Sequence, residues 1–142
     1  MIILDTNVLS ETQRPNPDPK VLAWLDAQAP TSLYLTAITV GELMFGVHCL
    51  DPGARRAGLL DTLTTIIADD FRGRILPYDE AAASLYGKQI GAARRAGITI
   101  GQADGQIAAI AFAHEAAPIA TRDRKPFEAL HLSVINPWDY GG

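Results

Sequence analysis

With 142 residues, 48% of them hydrophobic, and a single cysteine, the chain is sized for one core and cannot rest on an internal disulfide framework. Its net charge of −4, from 12 Lys and Arg against 16 Asp and Glu, speaks against a protein that coats nucleic acid indiscriminately, a task that needs many phosphate-neutralising cations. No apolar run is long enough to cross a bilayer and no basic leader precedes Met1-Ile2-Ile3-Leu4, so the expectation is one cytoplasmic domain over 1–142 with no membrane partner.

Ile2–Leu4 reads as a short buried strand that delivers Asp5-Thr6-Asn7 to a loop. Pro15, Pro17 and Pro19 mark a turn, after which Asp18 caps a helix with Val21, Leu22 and Leu25 at helical spacing, ending near Ala29-Pro30. Leu33-Tyr34-Leu35 is a second strand. Thr39 is placed as the cap of a helix from Val40, with Val40, Leu43, Met44 and Val47 on one side. Cys49, in an apolar stretch, reads as a buried helix thiol.

A further helix is expected over Ala54 to Ala68, then a brief strand at Ile75-Leu76. Asp79 caps a long Ala-rich helix to about Ala96, stopped by Gly97. A helix from about Gln102 to His114 buries Ile107, Ile110 and Ala111. Ile119-Ala120 is a fourth strand, followed by Thr121-Arg122-Asp123 in a loop, and Val134-Ile135 a fifth. Strands alternating with helices indicate an α/β domain with a mostly parallel sheet.

In such sheets, sites collect beyond the carboxyl ends of the strands. Asp5 and Asp123 both stand there, although each alone is also ordinary turn chemistry. Glu42 lies in the first turn of its helix, where the helix dipole by itself accounts for an acid. Asp104 also lies in a first turn but borders an apolar stripe, where an unpaired carboxylate is costly to bury. Four carboxylates in one pocket raise each other's pKa, a conflict that a hard divalent cation such as Mg²⁺ resolves while keeping waters for phosphate. Thr6 and Thr121 are candidate helpers beside two of the acids, and Arg122 is a candidate for steadying a phosphate backbone. His48, His114 and His131 lack zinc-type spacing and read as surface or helix-end residues.

Taken in order, Ile-Leu-Asp5-Thr-Asn, Thr39-Val-Gly-Glu42-Leu, Ala103-Asp104-Gly-Gln-Ile-Ala-Ala and Thr121-Arg-Asp123 with Phe127 resemble the PIN-domain nucleases. Within them the chain is most similar to the VapC-type toxins of toxin–antitoxin pairs, including the FitB-like branch, down to Asn136-Pro137-Trp138. The resemblance implies an α/β/α sandwich around a short, mostly parallel sheet, and Mg²⁺- or Mn²⁺-dependent cleavage of RNA. It makes Asp5, Glu42, Asp104 and Asp123 the catalytic, metal-binding acids, with Thr121 as a polar helper. It also implies a homodimer and an antitoxin protein that covers the site, with DNA bound only through that complex.

Two alternatives stand beside this reading. One is a non-catalytic PIN-like module that grips RNA or protein. The other is a haloacid-dehalogenase-type phosphatase, which also opens on a strand ending in Asp but wants a second acid two residues later, where Asn7 stands.

Overall fold

The computed structural model describes residues 1–142. Five short strands, β1 (Ile2–Leu4), β2 (Leu33–Thr36), β3 (Ile75–Leu76), β4 (Ile119–Ala120) and β5 (Val134–Ile135), form one sheet in the order β3-β2-β1-β4-β5. Every neighbouring pair is parallel, with Ile3 opposite Ile119 and Leu4 opposite Ala120 across the central β1–β4 pair. Seven helices connect them: α1 (Thr6–Thr12), α2 (Pro19–Ala27), α3 (Ala37–His48), α4 (Ala54–Thr65), α5 (Glu80–Arg95), α6 (Gln102–Ala113) and α7 (Lys125–Ala129).

The sheet is buried on both faces because successive strand residues point opposite ways. Ile3 and Ile119 join Leu76, Ala108, Ile110 and Phe127 in a core under α5, α6 and α7. Leu4, Leu33, Leu35 and Ala120 join Val8, Trp24, Leu43 and Leu63 in a second core under α1 to α4. The result is the expected three-layer α/β/α sandwich. The chain winds outward from β1 to β2 and β3, then crosses over to β4 on the other side of β1. That reversal opens a crevice at the carboxyl ends of β1 and β4, where open α/β sheets place their sites. No helix is long and apolar enough to cross a membrane.

Several local expectations are corrected. Asp5 does not lead into a loop: its carboxylate caps α1, which starts at the next residue. Thr39 is not the cap of α3, because Thr36, still extended at the end of β2, accepts from the Thr39 N–H and starts the helix at Ala37. Thr39 is instead fully buried inside it. Cys49 is exposed, since it follows the last residue of α3 rather than lying within it. Leu22 is exposed, and α2 buries Val21 and Trp24. Helix α4 ends at Thr65 and widens into a π turn over Ile66–Asp70. The short α7 after Asp123 has no counterpart among the elements expected from the sequence.

Candidate metal-dependent active site

The β1–β4 seam positions the first acid. Backbone pairing carries through the strand ends, where the Asp5 N–H donates to the Ala120 carbonyl at 2.9 Å. Asp5 is 5% exposed and Thr121 fully buried. The Thr121 hydroxyl donates to Asp5 Oδ2 at 2.8 Å and accepts from Asn7 Nδ2 at 3.1 Å and from the Asp123 N–H at 3.0 Å. Its one donor and both of its lone pairs are therefore used. The other carboxylate oxygen of Asp5 accepts from the Thr6 N–H at 2.8 Å. Asn7 also reaches across the seam, its Oδ1 accepting from the Arg122 N–H at 3.4 Å.

Glu42 arrives from α3. Its Oε1 accepts from the Thr6 hydroxyl at 2.6 Å, and the Thr6 and Thr39 hydroxyls lie 3.1 Å from one another. Because α3 starts at Ala37, Glu42 lies beyond its first turn, so the expected support from the helix dipole is not there. Glu42 is exposed, and the Thr6 bond aims it. Asp104 arrives from the first turn of α6, a helix whose cap residue, Gly101, has no side chain to offer. It is half-buried and accepts no hydrogen bond from the protein. Asp123 is exposed on the loop after β4.

The four acids, drawn from four separate segments, sense one another electrically. Burial pushes the Asp104 carboxyl up from 3.8 to about 6, and the charges of Asp5, Asp123 and Glu42 push in the same direction. Burial also raises Asp5, helped by Glu42 and Asp123 and opposed by the hydrogen bonds from Thr121 and Thr6. No three of these acids stand close enough together to form a cage around one ion. The donor set is nonetheless all oxygen, with no histidine or cysteine in it. That chemistry suits a hard cation held by one or two carboxylates and completed by water.

All four predicted acids, Thr6 and Thr121 are thus gathered at one sheet edge. Arg122 flanks the edge, with its guanidinium over the Trp138 ring, 5.2 Å from the centroid. Sequence reasoning missed Asn7 as a bridge between strand ends and Thr39 as a buried partner of Thr6. The available signal was Asn7 two residues beyond a site acid, with a side chain long enough to span two parallel strands. The phosphatase alternative fails here: Asn7 Nδ2 donates toward Thr121 and Asp5, and an amide supplies no acidic proton to a leaving group.

The chain matches the PIN domain family over residues 2–131. It is similar to the VapC ribonuclease Y4jK of Sinorhizobium fredii, with 48% identity over 139 residues, 98% of this chain and 99% of that protein. It is 46% identical to the toxin FitB of Neisseria gonorrhoeae over 138 residues, 97% of this chain and 99% of that one. The solved structure of FitAB bound to an IR36 DNA fragment superposes with a TM-score of 0.93 at 43% identity, covering 100% of this chain and 99% of the other. With matches of that length and identity, the chain belongs to the PIN-domain family, in the group that holds the VapC and FitB toxins.

Proposed function

We propose that the chain is an endoribonuclease dependent on Mg²⁺ or Mn²⁺, and that it is the toxin of a toxin–antitoxin pair. The observation that carries this reading is the convergence of Asp5, Glu42, Asp104 and Asp123 at the β1–β4 crevice, each delivered by a different segment. The names of the similar proteins, a ribonuclease and a toxin, point the same way.

Asp5 and Asp104 would hold the principal cation, directly or through water, with Glu42 and Asp123 completing the shell or holding a second ion. Such a cation, when bound, supplies polarisation of a phosphoryl oxygen, activation of water and stabilisation of the leaving oxygen. The residues of the chain do the rest. Thr121 and the Thr6 N–H hold Asp5 as a fixed acceptor, so its geometry is set before any ligand arrives. Thr6 turns Glu42 by its hydroxyl. Thr121 also fixes the Asp123 backbone, tying that loop to the acid on β1.

Purified protein is expected to cleave RNA with Mg²⁺ or Mn²⁺ present, and Asp5→Asn to lose that activity by roughly a thousand-fold while its circular dichroism is unchanged. Full activity of Asp5→Asn would overturn the assignment. Mn²⁺ should also raise the unfolding temperature, since a ligand of the folded state must stabilise it. No shift would favour the non-catalytic module.

The FitB toxin is similar to this chain along its whole length, and FitAB has been solved on DNA. That likeness supports an antitoxin partner and DNA bound through the complex. We further propose that the antitoxin covers the site and that the toxin is a homodimer. A cleft of about 380 Å³ between α1, α3 and α4 supports the first of these. It is floored by Leu43, Val47, Leu59 and Leu63 and reaches Glu42, so an apolar protein segment lying in it would end at the acids.

A further inference from the structure

The cations beside Asp123 look alike in sequence but differ in the fold. Arg124 is committed: its Nε lies 2.7 Å from Glu128 Oε1, and its Nη1 lies 3.9 Å from Asp139 Oδ2. Arg122 is parked on Trp138, with its backbone tied to Asn7. Lys125 takes part in none of the ion pairs of the chain, which involve only Arg14 and Arg124.

Lys125 lines a cleft of about 320 Å³ that also contains Asp104 and Asp123. Its other wall is apolar, built by Ile98, Ile100 and Ala129. The segment 98–100 separates this cleft from a second one of about 390 Å³, lined by Tyr86 and Arg94. Arg94 is likewise in no ion pair. Between the two clefts, Ile98 stays 37% exposed, one of only four large hydrophobic residues left in water. A polyanion approaching four carboxylates is repelled wherever no cation lies between, so the positions of free cations limit where a strand can run.

We propose that single-stranded RNA passes from the acids through the Lys125 cleft and over the 98–100 segment to Arg94. Lys125 and Arg94 each meet a backbone phosphate, and a base or sugar lies against Ile98. Alternation of cations with apolar or aromatic surface is how proteins hold single strands without reading sequence. The path rests on the ribonuclease reading for its direction, but binding tests it separately from cleavage.

The measurement is anisotropy of a short fluorescein-labelled single-stranded RNA of mixed sequence, in Ca²⁺ and over a range of salt. Lys125→Ala and Arg94→Ala should each weaken binding roughly five-fold and lower the log–log salt slope by about 0.7, and the double variant should lower it by about 1.4. Arg124→Ala, a change in the same loop at an already paired cation, should leave both within about two-fold of wild type. Failure of the wild type to bind, wild-type binding by the Lys125 and Arg94 variants, or equal loss on Arg124→Ala would each overturn the path. RNA cleavage that persists beside an unchanged salt slope would sink the path and leave the ribonuclease reading standing. Binding that responds as expected, in a protein that cleaves no RNA with Mn²⁺, would sink the ribonuclease reading and leave the path standing.

Discussion

Asp5 and Asp104 share a site and a cause of perturbation, burial, yet the protein treats them differently. Asp5 is anchored from both sides: one oxygen takes the Thr6 N–H, and the other takes the Thr121 hydroxyl delivered by the neighbouring strand. Asp104 has no donor and is placed by the packing of α6, chiefly against α5. One acid is fixed by strand pairing, and the other by helix packing. The contrast teaches that a site can combine an acid whose burial is partly offset by fixed donors with one whose charge is left without any donor.

The largest expected effect comes from removing that uncompensated charge. Asp104→Asn should lose cleavage by roughly a thousand-fold, about 4 kcal/mol of transition-state stabilisation, and yet gain stability when metal is absent. Because the folded carboxyl titrates near 6 instead of 3.8, the folded chain holds this proton more tightly than the unfolded chain. Stability from this group is therefore full at low pH and is lost as pH rises through about 6. Thermal unfolding of the metal-free wild type should show higher stability near pH 5 than near pH 7, and Asp104→Asn should flatten that difference. A variant less stable than wild type at pH 7 would break the contrast.

Next in size is Thr121→Val, which keeps the shape and removes the hydroxyl. It strips Asp5 of a donor and leaves Asn7 Nδ2 and the Asp123 N–H without their acceptor, so urea unfolding should show a loss of about 2–3 kcal/mol. Thr121→Ser should recover most of it. The smallest effect tests the other anchor. A Cβ on Gly105 would stand 2.9 Å from Tyr86 Cε2 and 3.1 Å from Ile90 Cγ1, so Gly105→Ala wedges α6 away from α5. The expected cost is about 1 kcal/mol in urea unfolding, with a fall in kcat smaller than that of Thr121→Val.

Much of this architecture is legible without coordinates, because short apolar runs closed by polar residues can hardly be anything other than buried parallel strands. All five strands are found where the runs lie. Asp5 and Asp123 are legible for the same reason, as strand-end residues. Helix α1 is not, because Asp5-Thr6-Asn7 has the composition of a turn, and only the fold shows the Asp5 carboxylate capping the residues that follow. Thr36 and Thr39 are both plausible caps by residue type, and the choice between them depends on where β2 stops pairing with β3, a non-local event. Glu42 gains its bond to Thr6 through a sheet crossover that no window of sequence contains. The division of Arg122, Arg124 and Lys125 into parked, paired and free cations depends on Trp138, Glu128 and Asp139, two of which lie beyond the last strand.

The outward-then-back winding of the sheet also has a consequence for the chain during its synthesis. Translation delivers Asp5 and Glu42 early, together with β1, β2 and the helices that cover one face. Asp104 comes on α6 within the long crossover to β4, and Asp123 only after β4, together with the Thr121 hydroxyl that anchors Asp5. An unfinished chain therefore carries half a site, with its first acid unsupported. Any activity against RNA must wait until the second half has docked along β1, so the ribosome that makes the protein does not meet a working nuclease while the chain is still emerging.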